Sequence, residues 1–452
     1  MREIVSLHLG QAGAGVGAAF WNELREELSR GEEAVNTEVF FHQGENETLL
    51  PRALFADPDP ESLRKVASAS DWSDHTFHSG REDAASNYVR GRYLVNRMVS
   101  ASLGEGLRHR LEESDSAQGL LLTYSLAGGG GSSLAAMVSE GAGPLGDDIQ
   151  DLLNKKSKMA VSLFPSPRFS NSVVEPYNAV WALSELEKNT DLAIHCDNQS
   201  LYGLALDRGI SDPVFQDLNN LVAKMVSSVT KGFRFYGNRN KDLTKSPKKA
   251  PNERTEDESM FSHVHHTSHT NISSLCTALV PLPSLRHVSL HQGLGEEGLE
   301  GWTPLLDSPH HHPQANCLSS CVFYSGRLTF TDVQARVESL EKEHRSFSRT
   351  QISVHNIVKL VGEESICCWR PTKVEPSHRR SKVCCKLSNS TSFAASLARV
   401  GANFDQMYTK RAFVHWFVGI GIEDNTFEYV RDDVRAIEQS YLEADDFIRS
   451  DM

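Results

Sequence analysis

Long apolar runs are missing from this 452-residue chain. No stretch of about 18 apolar residues occurs, so no membrane-spanning helix is expected. A surplus of positive charge is missing as well. The chain carries 46 Lys+Arg against 59 Asp+Glu, a net charge of −13, which argues against non-specific nucleic-acid binding by the whole surface. Partners are expected to be protein or nucleotide. The start, MREIVSLHLG, holds an acid at Glu3 and reaches glycine too early for a secretory leader, so a cytosolic protein is expected. Zinc-finger spacing is lacking too. Cys317 and Cys321 have no second pair, and the doublets Cys367-Cys368 and Cys384-Cys385 point to opposite faces of strand-like runs. With Cys196 and Cys276, these thiols read as reduced, buried small hydrophobes.

What stands out is Leu120 to Met137, LLLTYSLAGGGGSSLAAM. Leucines followed by Thr123-Tyr124-Ser125 read as a buried strand, and Ser132 onward as a helix start with hydroxyl caps. Between them, Gly128, Gly129, Gly130 and Gly131 let main-chain N–H groups turn towards one point, and the helix start adds positive potential. A phosphate chain fits this best; a flexible glycine loop without ligand is the alternative. No Gly-Lys-Ser/Thr follows the turn, and no GxGxxG spacing opens its helix.

The same unit recurs along the chain. Glu3 to Leu9 is β-rich and runs into GQAG (Gly10 to Gly13), followed by a helix with Val16, Phe20, Leu24 and Leu28 on one face. RALFADPDP ends a short strand in Asp57 and Asp59, carboxylates placed to hold a hydrated Mg²⁺; from these residues alone a Pro-Asp turn is the favoured reading. GREDAASNYVRGRY is a polar loop entering a helix. Met159 to Val180 gives a strand, a proline-rich loop and a helix start at Pro176, and Leu192 to Tyr202 gives a strand reaching Asp197-Asn198. Asp212 to Phe233 reads as a long amphipathic helix. This alternation predicts an α/β fold with a doubly wound, mostly parallel sheet.

The texture then changes. Lys241 to Thr270 is polar and charged, a mobile or partly disordered loop, and Gly293 to Gly301 is a second flexible stretch. His263, His265, His266, His269 and His310 to His312 are candidate metal ligands, although solvated histidines are the better reading. CLSSCVFYSG, ESICCW and SKVCCKL read as strands and Val333 to Leu340 as a helix, giving a mixed α+β second domain. The chain ends in a helical hairpin whose stripes are Phe393, Leu397, Val400, Phe404, Met407 and then Phe427, Val430, Val434, Ile437, Tyr441. Arg431, Asp432, Asp433, Arg435 and Glu438 are expected on its exposed face. The boundaries drawn are 1–211 for a nucleotide-binding domain, 212–240 for the central helix, 241–388 for the intermediate domain and 389–452 for the helical domain.

Taken together, MREIVSLHLGQAG, YSLAGGGGSSLAA, FPSPRFSNSVVEPYNAV, KLSNSTSFAASLARV and MYTKRAFVHWFVGIGIED resemble tubulin signatures, in order and over most of the length. The last third looks most like the alpha class. The resemblance implies a Rossmann-like GTPase domain, GTP or GDP with Mg²⁺ as cofactors, other tubulin subunits as partners, and a cytoplasmic, cytoskeletal location. It would place Gly10, Gln11 and Ala12 by the phosphates, Asp57 and Asp59 at the metal, and Ala84, Ala85 and Asn87 beside the γ-phosphate. Ser125, Gly128 to Gly131 and Ser132 would hold phosphates, Asn171 and Glu175 the ribose, and Asn198 and Asn219 the guanine edge. Phe215 would stack on the base.

Departures from the family pattern bear on function. Ala127, Gly130 and Ser133 alter the signature turn, and Asp59 stands where alpha tubulins carry glutamate. In KDLTKSP, Lys245 occupies the position of the glutamate that activates water for a neighbour's nucleotide, with Asp242 nearby. A lysine there cannot act as a base while charged, so hydrolysis is expected to be weak or absent. The altered contact loops, the shortened RGEEAVNTEVFF segment and the absence of a glutamate-rich tail suggest a specialised member, like those of centrioles and basal bodies. A non-polymerising adaptor or capping subunit is the second reading.

Overall fold

The structure, a computed structural model, describes residues 3–29, 37–44, 48–68, 72–73, 75–141, 147–153, 155–166, 168, 170, 172–234, 271–293, 302–306, 315–325, 356–360 and 383–450. Asn171, Asp242, Lys245, the histidines of 263–269 and 310–312, ESICCW and the expected helix at 333–340 lie outside them.

The strands are β1 (Glu3–Leu9), β2 (Phe41–Gln43), β3 (Leu49–Pro51), β4 (Ala53–Asp57), β5 (Phe77–Ser79), β6 (Ala117–Ser125), β7 (Ser157–Phe164), β8 (Leu192–Asp197), β9 (His287–Gly293), β10 (Trp302–Pro304), β11 (Cys317–Ser325), β12 (Asn356–Leu360) and β13 (Val383–Ser390). The helices of eight residues or more in the first half are α1 (Gly10–Ser29), α2 (Pro60–Ala67), α3 (Asn96–Glu112), α4 (Gly130–Glu140), α5 (Glu175–Asn189), α6 (Asn198–Asp207) and α7 (Phe215–Arg234). Beyond it come α8 (Ile272–Leu279), α9 (Phe393–Thr409), the short α10 (Val414–Val418) and α11 (Thr426–Ser450).

In the main sheet the order is β12-β11-β13-β9-β8-β7-β6-β1-β4-β5, with β10 on β9. From β5 to β9 every pair is parallel. Strand order reverses at β1, which lies between β4 and β6, so the crevice at its carboxyl end is where such sheets bind ligands. Buried runs such as LLL in β6 are what a parallel sheet covered on both faces requires. The residues of β1 alternate accordingly. Val5, Leu7 and Leu9 join the core formed with α3, α4, α5, α9 and α11, while Ile4 joins the one formed with α1, α7 and α8. Beyond β8 the sheet continues through Ala193–His287 and Ile194–Val288 pairs into a mixed half, where β13 is antiparallel to β9 and β11 while β12 is parallel to β11. The expected doubly wound sheet, mixed second half and closing helices are therefore present.

Of the residues expected on the exposed face, Arg431 is buried and Asp433 and Glu438 are half-buried. Arg431 is 6% exposed, and its guanidinium grips Asp405 at 3.0 and 3.1 Å, lying over Gly401, where a Cβ would collide with it. Asp433 reaches Lys188 at 2.7 Å. Arg431 thus ties α11 to α9 and Asp433 ties it to α5; helical periodicity alone cannot distinguish such a charge from a solvated one. The apolar stripes pack as expected, with Phe417 and Phe427 closing around Tyr177 and Trp181 of α5.

Candidate nucleotide site

Gly10 follows β1 immediately and opens α1 in the left-handed region at φ +74°. A Cβ there would lie 2.7 Å from Gly131 Cα, and one on Gly131 would lie 2.5 Å from Leu9 O. The first turn and the glycine turn thus touch main chain to main chain, an approach open to glycine. Gly129 presses in the same way on the main chain of Asn87, and a Cβ on Gly130 would lie 2.8 Å from the Pro58 ring. A Cβ on Gly128 would meet nothing within 4 Å, so this residue borders open space. Turns after β1, β4, β5 and β6 are thereby drawn into one cluster.

Hydroxyl capping by Ser132 is not what the structure shows. Gly129, which has no side chain to cap with, is the N-cap of α4, and its φ of −88° and ψ of −42° already continue the helix. The serines fall inside the helix, where the Ser132 and Ser133 hydroxyls donate back to Gly128 O and Gly129 O. The amides of the first turn are left without side-chain partners, the arrangement that receives phosphate at a helix start.

Sequence reasoning missed two asparagines that hold this cluster. Asn178, fully buried in α5, accepts from Tyr88 N at 2.9 Å and donates to Ser86 O at 2.6 Å and Ala127 O at 3.0 Å. Asn96 donates to Gly130 O at 3.0 Å and Ser133 Oγ at 2.8 Å. The one available signal was an amide inside the apolar run NAVWAL, which is costly unless satisfied. A third support is the chain from Trp21 Nε1 to His8 Nε2 (3.0 Å), His8 Nδ1 to Thr123 Oγ1 (2.7 Å) and Thr123 Oγ1 to Gly13 O (3.2 Å). Burial pushes His8 down to about 3, so this histidine is neutral and links α1 to β6.

Ala84 is fully buried, and Ala85 and Ser86 stand at φ 50° and 52°. Asn87 Oδ1 caps the following turn through Arg90 N at 3.0 Å, while its Nδ2 donates to Trp416 O at 3.3 Å. Asp57 Oδ1 accepts from Asp59 N at 3.0 Å and Oδ2 from the Ser62 hydroxyl at 2.5 Å. Asp59 Oδ1 caps α2 by accepting from Glu61 N at 3.0 Å. Both acids therefore shape a turn, and among the described residues no cluster of three or more potential ligands forms a metal site. Burial raises Asp57 to about 6, with Asp59 and Asp83 adding to it against the hydrogen bonds it accepts. A cation beside this carboxylate would relieve that cost.

Glu175 opens α5 and is buried, its carboxyl raised by that burial and bonded by the Ser170 hydroxyl. Asn198 opens α6 just after Asp197, whose Oδ1 accepts from Ser200 N at 2.9 Å. Asn219 lies against α1, where a Cβ on Gly15 would come within 2.6 Å of its Nδ2. Phe215, at the start of α7, is 57% exposed. Gln11 is exposed, and Ala12 and Ser125 are half-buried at the two strand ends.

A doubly wound sheet with a glycine cluster at its switch point defines an α/β protein of the class that binds ligands at the carboxyl ends of its strands. The family model "Tubulin/FtsZ family, GTPase domain" matches residues 3–205. The tubulin alpha-3 chain of Saccharomyces cerevisiae is 33% identical over 474 residues, covering 98% of this chain and 98% of its own. The tubulin alpha-1 chain of Schizosaccharomyces pombe is 30% identical over 98% of this chain and 96% of its own, and the tubulin alpha-8 chain of Caenorhabditis elegans is 29% identical over the same shares. The chain belongs to the tubulin family.

Proposed function

We propose that this chain is a cytoskeletal subunit that binds GTP or GDP and joins microtubule-based structures through other tubulin subunits. The observation that carries this reading is the contact of Gly10 with Gly131 and of Gly129 with Asn87 around open space at Gly128. These glycines, with Gln11, Ala12, Ser125 and Ser132, would receive the phosphates, and Ala84, Ala85 and Asn87 would meet the terminal one. Asn171 and Glu175 would hold the ribose, Asn198 and Asn219 the guanine edge, and Phe215 the base. Asp57 and Asp59 fit Mg²⁺ through intervening waters, since the ion keeps much of its hydration. When bound, the nucleotide supplies a phosphoanhydride and the ion neutralises its charge. The chain's own part is to orient the phosphates and exclude bulk water at the buried turns.

Lys245 gives this subunit weak or no power to trigger hydrolysis in a neighbour. Lys245→Glu should raise GTP turnover of a co-assembled partner at least ~100-fold, the usual worth of a placed base; unchanged turnover removes this part of the reading. The altered loops favour a specialised member, with centrioles or basal bodies as its place within the cytoplasmic cytoskeleton. As a non-polymerising adaptor or cap, the alternative, it would fail to co-pellet with microtubules. The deciding measurement is chromatography of nucleotide released from denatured, purified chain. Guanine nucleotide at close to one per chain is expected, and a folded chain that stays empty in saturating GTP overturns the proposal.

A further inference from the structure

At the amino ends of β6 and β7 the charge pattern is reversed. The nine residues of β6, at ~3.3 Å each, put about 26 Å between this end and the glycine turn. Here lies a cavity of about 360 Å³, broadly open to solvent and lined by Lys155 to Lys158, Lys188 to Asp191, and Arg286. Five of the lining residues are cationic and one, Asp191, is acidic, in a chain whose net charge is −13.

The partners of these cations matter more than their number. Lys188 Nζ lies 2.7 Å from Asp433 and Arg286 Nε 3.6 Å from Glu187, so each has an acid at hand. Lys156 and Lys158 instead donate to main-chain carbonyls, of Ala117 and Ser139, each at 2.5 Å. Such bonds fix an ammonium in place without cancelling its charge. Lys158 is 8% exposed. Lys155 is exposed and makes no ion pair among the described residues. Against anion binding stand Asp191, which accepts from Lys158 N at 2.7 Å, and the carboxyl end of α5. The latter is countered where the Arg286 guanidinium donates to Thr190 O.

No apolar side chain lines the cavity, whereas sites for drug-like or hydrophobic ligands are mostly apolar. Its volume suits a small molecule, and lysines bind phosphate as point charges. We propose that this cavity is a second anion site, apart from the glycine turn, which takes a compact oligophosphate through Lys155 and Lys156, with the ion-paired Lys188 and Arg286 adding charge beside them. The site stands independently of the guanine-nucleotide reading.

The test is calorimetric titration of inorganic tripolyphosphate into the full chain at about 0.15 M salt, where exposed charges are screened beyond ~8 Å. Saturable binding is expected, weakened at least tenfold in the double variant Lys155→Gln/Lys188→Gln. Both side chains are exposed, and circular dichroism checks that the variant is folded. ATP in place of tripolyphosphate separates the two sources: equal affinity assigns terminal phosphates of a metabolite, weaker affinity a free phosphate chain. Absence of saturable binding, equal affinity in the double variant, or preference for a hexaglutamate peptide overturns the proposal.

Discussion

The two ends of β6 and β7 solve the same electrostatic problem by different means. At the carboxyl end, glycines expose main-chain amides and a helix start, and the neighbouring turns are pinned by buried asparagine. At the amino end, lysines and an arginine supply full charge, two of the lysines held by carbonyls. Oriented amides work by shape and tolerate little substitution, whereas side-chain cations work by full charge and tolerate more. Mutations at the carboxyl end should therefore act on both fold and ligand wherever a glycine meets main chain, and those at the amino end chiefly on ligand.

The strongest break of this contrast is Gly131→Val. Its Cβ would meet Leu9 O at 2.5 Å and Gly10 Cα at 2.9 Å, both main chain, so thermal unfolding should show a loss of about 3 kcal/mol or more together with loss of nucleotide. Next is Asn178→Ala. It leaves the Tyr88 amide and two carbonyls without their partner, at a cost of roughly 2–3 kcal/mol in denaturant melts.

Acid should follow. Burial pushes His8 and His287 down to about 3 and His195 well below its usual value. Each folded value is lower than the unfolded one, so the stability they contribute is full above about pH 6.5 and is lost as pH falls below it, at up to ~1.4 kcal/mol per unit for each group. Asp57, raised to about 6, opposes this: its penalty is present above that pH and disappears towards the ordinary carboxylate range. Asp57→Asn should accordingly stabilise the nucleotide-free chain at pH 7 by on the order of 1 kcal/mol and hardly at pH 4, by paired melts. The smallest effect on folding belongs to Gly128→Ala. With nothing within 4 Å of its Cβ, the melting temperature should hardly move, while nucleotide affinity drops if phosphate fills that space.

The legible parts of the molecule were those written in local pattern. Alternating apolar strands and striped helices gave the doubly wound sheet, and consecutive glycines between a strand and a helix marked the turn at its switch point. The start of α4 was misplaced because glycines can enter a helix before the serines that would cap it. Asn178 and Asn96 escaped notice, and Arg431 was expected on the exposed face, since their partners lie on other elements. The lysine cavity escaped for the same reason, its lining coming from three separate segments.

The last helix also does more than finish the chain. Tyr441 Oη accepts from His287 N at 3.1 Å and donates to His287 O at 3.0 Å, the residue of β9 aligned with Ala193 of β8. One phenol near the far end thus acts as a clasp over the seam where the parallel and mixed halves of the sheet meet. A protease that trims α11 before Tyr441 would therefore loosen that seam from a distance, rather than merely shorten the molecule.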